Sequence, residues 1–230
     1  MKKNILITGA SGNLGKATVL RFLNDGHRVI AIVSPGKTLG FEVLGDIVVV
    51  EANLEDESSV ATSVTKIIAG NKSIDVALLL VGGYAPGSVF ETDAALLKKM
   101  YSQNFETAYF SARPIFSEMV KQPSGGRIVF IGARPALLAK DGKGSLAYAL
   151  SKSLIFKLAD FLNAEGASKN VISSVIVPST IDTPVNRAAM PGADFSSWVK
   201  PEAIAEVMAF VASDAGGALR DSVLKVYGRA

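Results

Sequence analysis

Asn4-Ile-Leu-Ile-Thr8-Gly9-Ala-Ser-Gly12-Asn-Leu-Gly15 is the stretch of this sequence that decides its fold. A short apolar run ends at Thr8, and glycines then recur at every third position, as Gly9, Gly12 and Gly15. Glycines at this spacing permit a tight turn, close approach of a phosphate group, and close packing of a helix on the preceding strand. A strand, such a turn and a helix in this order indicate a dinucleotide site, with a plain structural turn as the alternative.

The helix that follows the turn adds an electrostatic part to this hypothesis. It is expected to begin near Asn13, and its first backbone N–H groups lack partners within the helix and carry a partial positive charge. A pyrophosphate binds well at such a helix start. We therefore predict that Ser11, Asn13 and Leu14 bind the dinucleotide together with the three glycines.

Short apolar runs rich in β-branched residues recur along the chain and alternate with longer amphipathic stretches. We predict strands at 4–8, 28–33, 47–51, 75–81, 127–131, 171–177 and 223–227, and helices near 13–24, 55–69, 93–121, 146–166 and 201–213. Alternation of this kind implies a parallel sheet with helices on both faces. The predicted fold class is α/β, a doubly wound, seven-stranded, mostly parallel sheet in a single domain spanning 1–230.

The bulk composition excludes several classes of function. The chain has 230 residues, of which 49% are hydrophobic and 20% charged, enough to bury a substantial core. The net charge is only +3 and no long basic run occurs, so we predict neither a nucleic-acid nor a membrane partner. The sequence has no cysteine and one histidine, His27, which argues against disulfides, cysteine nucleophiles, histidine triads and a metal site. The apolar run near the amino terminus is too short for a signal peptide, so a cytoplasmic location is expected.

The end of the second predicted strand bears on the choice of cofactor. A carboxylate at this place bonds the ribose hydroxyls and favours NAD. This chain has Ser34 there, followed by Pro35, Gly36 and Lys37. Because Ser34 does not repel a 2′-phosphate and Lys37 would attract one, we predict that NADP(H) is favoured over NAD(H). The alternative is that Lys37 is only an exposed lysine of a loop.

The ends of the third and fourth strands supply further candidates. Asn53 and Leu54 follow the third strand, where a side-chain amide can hydrogen-bond adenine. Gly82 and Gly83 follow the fourth strand and would let the backbone lie close to the cofactor, with a simple loop as the alternative. Tyr84 comes next and is expected to pack over the cleft as a substrate contact.

Tyr148 and Lys152 are four residues apart at the start of a predicted helix, so the phenol and the ammonium should share one face. A free tyrosine has a pKa of about 10, and a nearby positive charge lowers that value. A tyrosine tuned in this way can exchange a proton with a substrate oxygen or nitrogen. The spacing alone is common on helix surfaces. Its occurrence in a chain with a dinucleotide turn makes the two residues a candidate catalytic pair.

Taken together, these motifs resemble the short-chain dehydrogenase/reductase superfamily over essentially the whole chain. The resemblance is carried by the motif from Thr8 to Gly15, Asn104 in a long central helix, the strand at 126–131, and the Tyr148–Lys152 pair. It implies a Rossmann-type fold, a nicotinamide cofactor, and hydride transfer to or from a small-molecule substrate. Assembly as a homodimer or homotetramer through the helices near 93–121 and 146–166 is also implied.

The same resemblance implies roles for individual residues. Tyr148 would donate the proton, and Lys152 would bind the nicotinamide ribose and lower the pKa of the tyrosine. Asn104 would help to hold a proton-relay water. The segment from 178 to 183 resembles the family's Pro-Gly-x-x-x-Thr stretch. It assigns the nicotinamide cradle to Pro178, Ile181 and Thr183.

Departures from the family pattern bear on the substrate. Ala133 occupies the place of the usual serine and cannot hydrogen-bond a substrate carbonyl. The stretches 81–87, 132–137 with 148–152, and 182–198 resemble the quinonoid dihydropteridine reductases, which also lack this serine. Hydride delivery to their substrate restores a conjugated ring and needs little carbonyl polarisation. Two residues depart from that branch: Ser34, since its members generally favour NADH, and Asn104, which is closer to the wider superfamily.

The stretch 178–200 has proline, glycine and polar residues without a clear period, and we interpret it as a substrate lid. Met190 and Trp198 are expected to form an apolar wall for a flat substrate, and Arg187 to orient a polar edge. These residues complete the predicted substrate site with Ala133 and Tyr84. The alternative for Trp198 is that it anchors the lid on the core.

These observations predict an NAD(P)H-dependent reductase that transfers a hydride to a quinonoid dihydropterin or a related conjugated compound, with Tyr148 as proton donor. Two alternatives stay open. One is a reductase of another carbonyl, imine or quinone compound. The other is a protein that binds the nucleotide without catalysis; Ala133 favours it, and the presence of Tyr148, Lys152 and Asn104 opposes it.

Overall fold

A seven-stranded sheet in the order β3-β2-β1-β4-β5-β6-β7 lies at the centre of the molecule. The computed structural model describes residues 1–229. The strands are β1 (Asn4–Thr8), β2 (Arg28–Val33), β3 (Ile47–Glu51), β4 (Val76–Leu79), β5 (Gly126–Ile131), β6 (Val171–Pro178) and β7 (Ser222–Val226). Every neighbouring pair is parallel, so the predicted doubly wound α/β fold is confirmed, with a fully rather than mostly parallel sheet.

Helices cover both faces of the sheet. They are α1 (Asn13–Asn24), α2 (Glu57–Asn71), α3 (Ala94–Tyr101), α4 (Thr107–Met119), α5 (Arg134–Leu137), α6 (Ala139–Gly142), α7 (Leu146–Gly166), α8 (Pro184–Ala189) and α9 (Pro201–Ala212). One apolar core includes Phe22 of α1 and Met208 of α9, and the other includes Val60 of α2, Ile115 of α4 and Ile155 of α7. Because both faces are covered, inner strands such as β4 and β6 are buried throughout.

The strand order reverses at β1, which lies between β2 and β4. In sheets of this kind, ligands bind in the crevice beyond the carboxyl ends of the strands at the point of reversal. The glycine turn follows β1, and the other predicted cofactor residues follow β2, β3, β4 and β6 at the same edge. The fold therefore brings the predicted site residues together from distant parts of the chain.

The structure differs from the predicted elements where side chains intervene. Strand β4 ends two residues early because the N–H of Leu80 donates to the side-chain hydroxyl of Thr8 on the neighbouring strand β1 (3.0 Å) rather than to a backbone carbonyl. The helix predicted at 93–121 is instead α3 and α4 joined by a π-helical segment, Ser102–Glu106. The stretch 178–200, predicted to lack regular structure, contains α8 and a short 3₁₀ turn.

Candidate active site

The glycine turn has the geometry of a phosphate cradle. Gly9 has a φ of +66°, which favours glycine, and its carbonyl accepts the N–H of Gly12 at 3.0 Å. A Cβ on Gly15 would collide with the Gly9 carbonyl and lie 2.8 Å from the Cα of Ala10. Gly12 caps α1 without any side-chain hydrogen bond, so the N–H groups of the first turn are free to bind an anion. These features fit the pyrophosphate of a dinucleotide.

A small cavity continues from this turn along the carboxyl ends of β1, β2 and β3. Its lining includes the predicted residues Gly9, Ser11, Ser34, Asn53 and Leu54, together with Ile32, Val33, Ala52, Glu55, Val81 and Thr107. The side-chain oxygen of Asn53 accepts the N–H of Glu55 at 3.2 Å, so an adenine contact would fall to its NH₂ group. The cavity therefore suits the adenosine half of the cofactor.

The residues after β2 form a tight turn at the mouth of this cavity. The N–H of Lys37 donates to the carbonyl of Ser34 at 3.0 Å, and Gly36 takes a φ of +71° at the position where such turns require glycine. Ser34 and Lys37 are exposed, as a phosphate-binding role requires. The N–H of Gly36 donates to the carboxylate of Glu51, the last residue of β3, at 2.8 Å.

Asn104 lies inside the π-helical segment and is buried. Its Oδ1 accepts the N–H of Gly83 at 3.0 Å, and its Nδ2 donates to the Gly83 carbonyl and to Oγ of Ser151, both at 3.1 Å. The hydroxyl of Ser151 in turn donates to the carbonyl of Tyr148 at 2.8 Å. The Asn104 side chain therefore holds the loop after β4 against α7, and a role in holding a water stays a prediction.

Lys152 is 5% exposed, and its Nζ donates to the carbonyl of Ile131 at 2.9 Å. Burial lowers the pKa of this ammonium to about 8. A Cβ on Gly82 would lie 2.9 Å from this Nζ and 2.6 Å from Oδ1 of Asn104. A side chain at Gly82 would therefore displace two polar groups of the site, a reason for glycine that neither the close-cofactor nor the simple-loop interpretation included. Gly83 is constrained in the same way by the side chain of Gln103.

The pKa of Tyr148 departs from the sequence prediction. Burial raises it to about 12, and the neighbouring Tyr84 adds to the rise, so the predicted lowering by Lys152 is wrong for this structure. The rings of Tyr84 and Tyr148 meet edge to face with centroids 5.1 Å apart. A phenol with this pKa is fully protonated near neutral pH, which suits a proton donor rather than a base.

The stretch 178–200 folds over the crevice edge with its own internal contacts. Pro178 is buried at the end of β6, Ile181 packs on the core, and Thr183 caps α8 by accepting the N–H of Asn186 at 3.2 Å. Ala133 is buried two residues after the end of β5, and its contact with a substrate stays a prediction.

Two of the three predicted substrate contacts in this stretch, Arg187 and Trp198, are engaged by other residues of the lid. Arg187 donates to both carboxylate oxygens of Asp182, at 2.5 and 2.8 Å. The guanidinium also lies 4.7 Å from the ring centre of Phe195, which packs on Trp198 with centroids 4.8 Å apart. Met190 is 40% exposed and remains available to a ligand. Arg187 is therefore held inside the lid, and its contact with a substrate stays a prediction.

Comparison with known proteins decides the family. A family model described as short chain dehydrogenase matches residues 3–193. The chain belongs to the short-chain dehydrogenase family. A dihydropteridine reductase of Dictyostelium discoideum is 29% identical over 90% of this chain and 86% of that protein. The 3-oxoacyl-[acyl-carrier-protein] reductase MabA of Mycobacterium bovis is 25% identical over 99% of this chain and 92% of that protein. The solved structure of ElxO with NADP bound has a TM-score of 0.90 and 23% identity, covering 99% and 98% of the two chains.

Membership of the short-chain dehydrogenase family makes the protein an NAD(P)-dependent oxidoreductase. Among residues 1–229 there is no helix whose length and apolar character would let it span a membrane. The same residues include no group of three or more histidine or carboxylate side chains placed to hold a metal ion.

Sequence reasoning missed two residues of this site. Ser151 links Asn104 to the backbone of Tyr148, and Glu51 binds the turn after β2. The position of Ser151, three residues after Tyr148 on the same helix, was a usable signal. No sequence signal pointed to Glu51, because it reaches the turn after β2 from a different strand, β3.

The buried ammonium predicts a pH dependence of stability. The pKa of Lys152 falls from 10.5 to about 8 on folding, so the unfolded chain binds more protons between these values. The free energy of unfolding should therefore rise as pH increases from about 8 to about 10, by roughly 1–3 kcal/mol. Lys152→Met should remove this rise in urea titrations followed by circular dichroism. The raised pKa of Tyr148 acts in the opposite direction, but only above pH 10. A variant that keeps the wild-type slope would contradict the assignment.

Proposed function

We propose that this short-chain dehydrogenase reduces a quinonoid dihydropterin or a closely related conjugated substrate, with Tyr148 as the proton donor. The observation that carries the proposal is Ala133, buried at the end of β5 beside the α7 helix that bears Tyr148. A ketone substrate gains from a hydroxyl that polarises its carbonyl. A quinonoid ring gains less, because aromatic conjugation is restored on reduction. The similarity to a dihydropteridine reductase supports this choice.

The chemistry assigned to the protein's own residues is proton delivery and positioning. The nicotinamide cofactor, when bound, supplies the hydride. Tyr148 gives its hydroxyl proton to a ring nitrogen, so the substrate gains one hydride and one proton, a two-electron reduction. Lys152, buried beneath the loop after β4, would place a positive charge near the cofactor ribose. Asn104 holds that loop through Gly83.

The substrate is proposed to lie between Tyr84 and the lid at 178–200. Tyr84 is 64% exposed beside Tyr148 and offers a flat ring at the cleft. In this proposal Met190 and Trp198 would supply the apolar surface of the other wall, while the Asp182–Arg187 pair keeps α8 in place. A flat heterocycle suits such walls because aromatic surfaces favour stacking and edge contacts.

For the cofactor, Ser34 and Lys37 support a weak preference for NADP(H), because an exposed lysine and a small hydroxyl both accommodate a 2′-phosphate. A homodimer or homotetramer is proposed by family resemblance. In its support, exposed apolar side chains lie close together on α3 and α7, including Leu97, Tyr101, Leu150 and Leu154. Light scattering of the purified protein measures the assembly. A cytoplasmic location stays a prediction from the sequence.

The test of function is oxidation of NADH and NADPH, measured side by side with a quinonoid dihydropterin, a ketone, a 3-oxoacyl thioester and a quinone. Turnover of the pterin at least about tenfold above the other substrates in kcat/KM supports the proposal. A preference for the ketone or the thioester contradicts it and favours a carbonyl reductase. Tight cofactor binding with no consumption by any substrate favours the nucleotide-binding alternative.

The Ala133→Ser variant sharpens this test. We expect the added hydroxyl to hydrogen-bond a substrate carbonyl, so ketone reduction should rise by about tenfold, as for one added hydrogen bond in a transition state. Pterin reduction should change by much less. Equal changes for both substrates would show that Ala133 does not distinguish them.

A further inference from the structure

We propose that Glu51 is a specificity-determining residue that recognises the adenosine ribose and selects against its 2′-phosphate. This inference rests on the proposed use of a nicotinamide dinucleotide. Glu51 would supply the ribose site with a carboxylate, which the residues directly after the second strand lack. In this chain the acid comes from the end of β3, one strand away from the position where the ribose carboxylate is expected.

The geometry places Glu51 at the turn that would receive the phosphate. Glu51 is paired in register with Val33, the last residue of β2. Its carboxylate accepts the N–H of Gly36 at 2.8 Å, within the turn that Ser34 and Lys37 close. Gly36 has a φ of +71°, and this conformation directs its N–H across to the neighbouring strand. A carboxylate is therefore fixed in the same turn as Ser34 and Lys37, the two residues that were predicted to admit a phosphate.

The carboxylate and a 2′-phosphate compete for the same small region. The backbone N–H of Gly36 is the kind of donor that binds phosphate in tight turns, and Glu51 already occupies it. A phosphate monoester carries close to two negative charges at neutral pH and would be repelled by a carboxylate within a few ångströms. The two hydroxyls of an NADH ribose can instead donate to that carboxylate. Glu51 thus opposes the attraction that Lys37 offers to NADPH, and it keeps the proposed preference for NADP(H) weak.

The role of Glu51 can be tested by a substitution that leaves the protein folded. Glu51 is exposed, and Glu51→Gln keeps a side-chain oxygen that can accept the Gly36 N–H. The charge-matched control is Glu42→Gln, an exposed carboxylate outside the cavity and the turn. Lys37→Ala provides a change of opposite sign in the same turn.

The experiment is calorimetric titration of NADPH and NADH into wild type and these variants at low and moderate salt. In Glu51→Gln, the ratio of the NADH to the NADPH dissociation constant should rise about tenfold, with the larger part of the change in tighter NADPH binding. The shift should shrink as salt screens the charge. Lys37→Ala should move the ratio the other way, and Glu42→Gln should leave it unchanged.

The outcomes separate this inference from the function on which it rests. If wild type binds both cofactors and Glu51→Gln leaves their ratio within twofold, the role of Glu51 is wrong while the reductase proposal stands. If Glu42→Gln shifts the ratio equally, the effect is one of net charge, and the assignment to Glu51 is again wrong. If wild type binds neither cofactor, both proposals fail.

Discussion

Replacing Tyr148 with phenylalanine is expected to lower kcat for the native substrate by a factor of about 10² or more, the range for a positioned acid–base group. The ring stays, so its edge-to-face contact with Tyr84 stays as well. Only the hydroxyl that carries the proton is lost. Burial raises the pKa of this hydroxyl to about 12, so Tyr148 is fully protonated near neutral pH in the wild-type protein.

The measurement is steady-state oxidation of NADH and NADPH with a quinonoid dihydropterin, together with the cofactor dissociation constants. The cofactor constants should be nearly unchanged, since the loss is in proton transfer and not in nucleotide binding. Tyr109→Phe, the same change at an exposed tyrosine of α4, is the control. A Tyr148→Phe enzyme with wild-type kcat would remove Tyr148 from the mechanism.

The strands of the dinucleotide half could be predicted from the sequence because each is a complete apolar run between turn residues. β1, β2 and β3 occur at the predicted residues. Such a run is a local signal in the sequence. It is clear here because helices cover both faces of the sheet, so that neither face of a strand needs polar residues. The break in the long central helix is not local. It occurs at Asn104, whose side chain bonds Gly83 in the loop after β4, and no pattern within the helix records that contact.

The residues of the candidate site could be named from the sequence, whereas their electrostatics could not. Spacing correctly placed Tyr148 and Lys152 on one helix, but the pKa values depend on burial, which spacing does not contain. Burial moves both groups towards their neutral forms. The sequence likewise indicated Ser34 and Lys37 at the ribose, and it gave no sign that Glu51 would reach the same turn from β3.

Substitution of Gly15 by alanine is expected to weaken cofactor binding and to destabilise the protein, although helix propensity alone predicts a gain in stability. Gly15 lies in the first turn of α1, where alanine is normally better than glycine by about 1 kcal/mol. Here the new Cβ would collide with the Gly9 carbonyl and lie 2.8 Å from Cα of Ala10. Both are backbone atoms of the phosphate cradle, so the turn itself must move.

Gly70→Ala is the matched control, because Gly70 is also helical, in α2, and a Cβ there meets nothing within 4 Å. It should raise the free energy of unfolding by up to about 1 kcal/mol, whereas Gly15→Ala should lower it by about 1–3 kcal/mol through overpacking. Urea unfolding and cofactor titration measure the two effects. Displacing the Gly9 carbonyl disturbs the N–H groups of the first turn of α1, so affinity should fall even where the fold survives. Unchanged affinity in a folded Gly15→Ala protein would mean that the close approach of strand and helix at this turn does not shape the pyrophosphate site.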